Sequence, residues 1–174
     1  MKLLSSLILL GSVVLTLGCA PAPGATNIAR NGEASQISDF KYPIMGYAKN
    51  AIDGGKNTDY HKGSCTHTNN QKNPWWKLDL KQMYKISNVV IANRMDCCKE
   101  RLMGAEVRIG NSPNNNNPVC DKVKSVKSAT LSFCCNGMEG QYVSVVIPGR
   151  SESLSLCEVE VYGDPVNKGN KVCW

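Results

Sequence analysis

The sequence is poor in most of the features that would announce a function directly. It has only two histidines and no Cys-x-x-Cys spacing, which leaves no ordinary ligand set for a structural zinc. Its net charge of +6 is mild and scattered, with no block of like charge and no basic stripe interleaved with aromatics, so nucleic acid is not an expected partner. No Asn-x-Ser/Thr acceptor occurs, and N-linked glycosylation is not expected. Neither a Ser/His/Asp arrangement nor a close carboxylate pair is apparent, which argues against an enzyme. Beyond residue 17 there is no second long apolar run, no internal repeat and no capped segment with helical spacing.

What is present begins with a leader. Met1-Lys2 is followed by apolar and small residues as far as Leu17, then by Gly18, Ala20, Ala22 and Gly24. This reads as a cleaved secretory signal over residues 1–22, with the cut between Gly18 and Gly24, and too short to span a membrane. Gly18-Cys19 also resembles a lipoprotein cleavage site, although Thr16 stands where Leu is usual. Residues 23–164 have the length of one domain, and 165–174 form a mainly polar tail ending in Val172-Cys173-Trp174. Loss of the leader takes Cys19 and leaves eight of the nine cysteines. An even count in a secreted chain implies disulfides, but parity alone allows 105 pairings.

Period-two alternation dominates the rest. Trp76, Leu78 and Leu80 alternate with Lys77, Asp79 and Lys81. Ala105, Val107 and Ile109 alternate with Glu106 and Arg108, and Cys157, Val159 and Val161 with Glu158, Glu160 and Tyr162. Ile86–Ala92 and Tyr142–Ile147 are β-branched apolar runs. Turn-forming stretches at Asp53-Gly54-Gly55, Asn111–Pro118 and Pro148-Gly149 separate these segments. Many short strands at this spacing predict an all-β fold, a single β-sandwich jelly roll whose polar end loops carry the binding surface.

The chemically densest segment is Arg94-Met95-Asp96-Cys97-Cys98-Lys99-Glu100-Arg101, with His67 upstream. Two guanidinium forks and an imidazole are suited to reading the hydroxyls of a small polar ligand, and Asp96 is close enough to hold one or both arginines. Adjacent cysteines either bond to separate distant partners or bridge each other. In the second case they make a stiff, polarizable apolar surface, because neighbouring Cα atoms lie about 3.8 Å apart, below the usual disulfide range. Against this stands the simpler reading, a surface ion pair of little energetic value.

Together these stretches resemble the F-type lectins, the fucolectin family of fucose-binding proteins typified by eel serum fucolectin. The resemblance runs from Asn27 to about Gly163. It is carried by Asn50-Ala51-Ile52-Asp53-Gly54, Gly63-Ser64-Cys65-Thr66-His67, Pro74-Trp75-Trp76, Asn93–Arg101 and Ser151–Glu160. The family motif is a histidine, then Arg-x-Asp, four residues and a basic residue, here His67, Arg94, Asp96 and Arg101. The resemblance implies a discoidin-like jelly roll in which His67, Arg94 and Arg101 donate hydrogen bonds to fucose. It also implies a vicinal Cys97–Cys98 disulfide against the sugar's apolar edge. Tyr60 stands where the pocket wall is expected, in a Tyr60-His61-Lys62 order that departs from the eel type.

The same resemblance implies a structural Ca²⁺ held by Asn50, Asp53, Gly55, Ser64, Cys157 and Glu158, with Gly55 in place of a usual Asn. It further implies Cys65–Cys157 and Cys120–Cys135 bridges. Cys134 and Cys173 are additional to the family set, and they either pair with each other or bridge two chains. The implied protein is a secreted, extracellular lectin of fucosylated glycans in innate defence, a homo-oligomer with a trimer favoured, without membrane insertion. The alternative is a discoidin-like adhesion or membrane-surface module. It needs apolar loop tips, whereas Thr66, Thr68, Asn69, Asn70 and Gln71 around His67 are polar.

Overall fold

A computed structural model describes residues 19–166. Eight strands carry the fold: β1 (Glu33–Gln36), β2 (Gln71–Lys72), β3 (Trp75–Asn93), β4 (Glu106–Gly110), β5 (Val119–Lys122), β6 (Thr130–Val146), β7 (Ser151–Glu152) and β8 (Leu156–Pro165). All pairings are antiparallel. Four short 3₁₀ turns are the only helical elements among the described residues, and none of them is long enough to cross a membrane.

The two apolar segments Trp76–Leu80 and Ile86–Ala92, read from the sequence as separate strands, are the two halves of β3. At the bend Lys81 takes φ +66° and its N–H donates to Asp79 Oδ1. The register against β6 slips between Asp79 and Tyr84. The first half of β3 pairs with β1 and the end of β6, which also holds β4; the second half pairs with the start of β6 and with β8. β3 and β6 thereby pass through both layers of the sandwich. One core joins them, with Trp76, Leu78, Ile91, Val143 and Val159 all at 0% exposure. The Trp76 indole N–H finds the Ala48 carbonyl at 2.9 Å. Truncating a residue so placed costs about 3–5 kcal/mol.

Strand alternation was legible where one face meets this core. β1, β5 and the first half of β6 were not predicted, because their burial is partial and their sequences polar. Two carboxylates on the polar phase of their strands are buried all the same. Glu106 is 5% exposed and ion-paired with both Arg108 and Lys122, and Glu158 is 1% exposed.

Three bridges match the expected pairings: Cys65–Cys157, Cys97–Cys98 and Cys120–Cys135. The fourth does not. Cys134 is bonded to Cys19, not to Cys173, which lies outside the described residues. A cut at residue 22 would remove Cys19 and this bridge with it, whereas a cut after Gly18, within the expected window, would keep it. Asn27 completes the anchorage of the N-terminal segment, its Oδ1 accepting from Ala29 N–H and from Val161 N–H of β8.

Candidate functional site

His67 sits at one end of the sandwich on a segment fastened from both sides. Thr66 and Thr68 donate their N–H groups to the carbonyls of Leu156 and Leu154, and their hydroxyls accept from the N–H groups of the same two residues. On the other side, the loop from Asp39 to Tyr47 closes onto His67. Phe40 N–H donates to the His67 carbonyl and His67 N–H to that of Gly46. A Cβ at Gly46 would fall 2.5 Å from His67 N, so only glycine permits this approach. The His67 ring lies 4.6 Å from Phe40 and 5.2 Å from Tyr60, centroid to centroid.

This burial fixes the protonation of His67. Burial first, then the nearby positive charges of Arg94 and Arg101, hold its pKa below the usual histidine value despite the Thr68 contact. Nδ1 lies 2.7 Å from the Thr68 carbonyl, which can only accept, so Nδ1 carries the proton. Nε2 of the neutral ring is then an acceptor. In this tautomer Nε2 is the ring nitrogen without a hydrogen-bond partner among the described residues.

Arg94 follows directly from the end of β3 and is 6% exposed. Its Nε and Nη2 form a fork on Asp96 at 3.0 and 2.7 Å, and its Cζ lies 4.5 Å from the Tyr60 ring centroid. Asp96 Oδ1 also accepts from Tyr60 N–H at 3.0 Å. Burial opposes the Asp96 charge, but Arg94 and this N–H outweigh it and hold the carboxyl below the usual aspartate range. Tyr60 is 2% exposed, and its hydroxyl, which needed a partner, donates to the Ile44 carbonyl. Nε and Nη2 of Arg94 are committed to Asp96, and Nη1 has no hydrogen-bond partner among the described residues.

The chain then turns sharply. Cys98 takes φ +60°, a left-handed conformation unusual for a side-chain-bearing residue, and is covalently tied to Cys97. The turn feeds the 3₁₀ segment Lys99–Leu102, which carries Arg101. Asp96 does not hold this second arginine. Arg101 Nε instead lies 3.6 Å from Glu152 Oε1, its side chain 36% exposed. Sequence reasoning missed Glu152 and Phe40 as supporting residues. The first is distant in the chain, and the second lies in a loop without a motif.

Beneath His67 lies a second cluster. Cys65–Cys157 joins its two sides, and Glu158 accepts from Gly54 N–H at 3.2 Å. Asn50 Nδ2 reaches the carbonyls of Met45, Gly63 and Cys65 at 3.4, 3.3 and 3.2 Å. Gly55 N–H donates to Asp53 Oδ1. Ser64 Oγ donates to the carbonyls of Asn57 and Asp59. Burial, then the charge of Asp53, pushes the Glu158 carboxyl up to about 8. A buried carboxylate beside a second one, within an oxygen-rich set of amide, carbonyl and hydroxyl groups, suits a hard cation. The residues present fit Ca²⁺.

Residues 50–145 match the F5/F8 type C family described as NedA-like, galactose-binding domain. Fucolectin-4 of Anguilla japonica is 47% identical over 142 residues, 78% of each chain. The pentraxin fusion protein of Xenopus laevis is 46% identical over 82% of this chain, which spans only 35% of that protein. A fucolectin from the serum of striped bass, Morone saxatilis, superposes with a TM-score of 0.77 at 46% identity. That match covers 82% of this chain and 48% of the bass lectin. A fucose binding module of Streptococcus pneumoniae does so with a TM-score of 0.72 at 30% identity, over 83% of this chain and all of that one. With this fold, and with His67, Arg94 and Arg101 placed as described, the chain belongs to the fucolectins, the F-type family of fucose-binding lectins, which are binding proteins and not enzymes.

Proposed function

We propose that the protein is a secreted, calcium-containing lectin that binds terminal L-fucose on glycans. The observation that carries this reading is the convergence of Arg94 and His67, both 6% exposed, beside the Cys97–Cys98 bridge. Their side chains are already locked by Asp96 and by the Thr68 carbonyl. Little side-chain freedom remains to be lost on binding, which favours affinity for a small ligand.

The chemistry is complementary. Arg94 Nη1 and the Arg101 guanidinium donate, while His67 Nε2 accepts. A hydroxyl is both donor and acceptor, so one placed between an arginine and His67 satisfies each. An epimer or deoxy sugar that misplaces that hydroxyl leaves a buried polar group unpaired, and such sites reject analogues strongly. The Cys97–Cys98 bridge supplies the apolar contact for the sugar's edge.

Ca²⁺, where bound, neutralises Asp53 and Glu158 and braces the loop that carries His67. Asn50, Gly55, Ser64 and Cys157 contribute through amide, hydroxyl or main-chain oxygens. Binding of one monosaccharide buries little area, so useful affinity requires several sites in one assembly. A homo-oligomer, with a trimer favoured, recognising fucosylated glycans in innate defence is the biological reading. The leader and the four bridges support secretion.

The test is calorimetric titration with L-fucose against D-galactose, in calcium and after chelation. Saturable binding to fucose alone, with a lower melting temperature after chelation, is the expected result. A folded protein that ignores fucose would sink the lectin reading. An unchanged melting temperature would sink the calcium assignment.

A further inference from the structure

A second recess lies on the outer face of the sheet. Gln71 of β2 pairs with Glu152, the partner of Arg101, and the next residue, Lys72, lines a groove of about 590 Å³. Its walls include Trp75, Arg108, Asn115, Asn116 and Pro148. Three observations give this groove the character of a site and not of a crease.

The first is an orphaned acceptor. Asn115 takes φ +59°, and its buried Oδ1 has no hydrogen-bond partner among the described residues. The second is a tied aromatic wall. Lys77 Nζ lies 5.3 Å from the Trp75 ring centroid and donates to the Pro113 carbonyl at 2.6 Å, which fastens the asparagine-bearing loop to the indole. Beside it Ser144, in register with Lys77 and Arg108, is fully buried, and its Oγ also lacks a partner. The third is charge. No carboxylate lines the groove, and Lys72 has no ion-pair partner among the described residues. Arg108 is turned onto Glu106, which Lys122 shares.

We propose that this groove is a second saccharide-binding site, for a pyranose that carries a carboxylate or a sulfate. A pyranose offers an apolar ring face to the indole, and rotation of the Asn115 side chain into the groove brings its unpaired Oδ1 to one of the hydroxyls. The side-chain amide of Asn116 supplies a donor for its other oxygens, and Lys72 meets the anionic group. The volume lies within the range of small-ligand sites. This site shares no side chain with the first and does not depend on fucose binding there.

The test is a ¹H–¹⁵N NMR titration of the full mature chain, with L-fucose present, using D-galacturonic acid and galactose 6-sulfate as probes. D-galactose is the neutral control. The readout is the Trp75 indole N–H together with the side-chain amides of Asn115 and Asn116. Saturable shifts with either acid, at least tenfold weaker with galactose and lost in Lys72→Glu, support the proposal, and the acid that responds identifies the group. Because Lys72 is exposed, that variant folds and retains its response to fucose. Silence at these signals with both acids, an equal response to galactose, or shifts that survive Lys72→Glu would overturn it. So would displacement of fucose by the acids, since they would then occupy the first site.

Discussion

Arg94 and Arg101 belong to one motif, yet the fold treats them in opposite ways. Arg94 is nearly buried, forked onto Asp96 and laid over the Tyr60 ring. Arg101 stands on a short 3₁₀ segment, its side chain 36% exposed and held only by a 3.6 Å contact with Glu152. The first arginine is structure as much as site. The second is partly open to solvent and only loosely tethered. The difference lies in their supports: Arg94 leaves the end of a core strand, whereas Arg101 follows the strained Cys98 turn.

The largest effect is expected from Arg94→Ala. Removing the fork leaves Asp96 partly buried without its counter-charge and removes the cation over Tyr60. Breaking a buried ion pair by removing one partner costs about 3–5 kcal/mol. Fucose binding should become undetectable by calorimetry, with a clear drop in the denaturation midpoint. A variant of wild-type stability would show that Arg94 is not the prop described here.

Asp96→Asn is expected to rank next. It keeps the shape but removes the charge that aligns Arg94, and a hydrogen bond to a charged group is worth about 1.5–3 kcal/mol. Fucose affinity should fall by about tenfold or more, read by the same titration. Arg101→Ala should separate the two roles cleanly. Its exposed ion pair contributes about 1 kcal/mol or less to stability, so the melting temperature should barely move while fucose affinity falls. Equal losses of both quantities would erase the distinction between the two arginines.

The smallest effect is one of pH. The folded pKa of His67 lies below its unfolded value, so the unfolded chain binds more protons between the two. The stability associated with neutral His67 is therefore complete above about 6.5, the unfolded value, and is lost as pH falls through the lower folded pKa. Fucose binding should weaken in the same window, because a protonated Nε2 donates where the neutral ring accepts. His67→Gln should remove this dependence. A binding profile that stays flat down to the folded pKa would mean that Nε2 does not meet the sugar.

Much of this was legible before any fold was known. Alternation at Trp76, Leu78 and Leu80 located a sheet face, since residues two apart share a side of a strand. The spacing of His67, Arg94, Asp96 and Arg101, with the adjacent cysteines, marked the candidate site. The resemblance it carries implied the pairing of Cys97 with Cys98 and of Cys65 with Cys157, both present in the structure.

What the sequence withheld depends on which distant residues the sheet brings together. Nothing near Arg101 in the chain points to Glu152, and nothing near Cys134 points to Cys19. A histidine between two threonines does not reveal that Phe40 and Tyr60 enclose its ring, nor that the Thr68 carbonyl accepts a hydrogen bond from its Nδ1. The amino-acid sequence determined the strand faces and the reactive groups, because both are properties of neighbours along the chain. The tertiary structure alone decided which arginine is rigid, which nitrogen of His67 is free and where Cys134 is tied. Each of these depends on burial and contacts set by pairing between strands far apart in sequence.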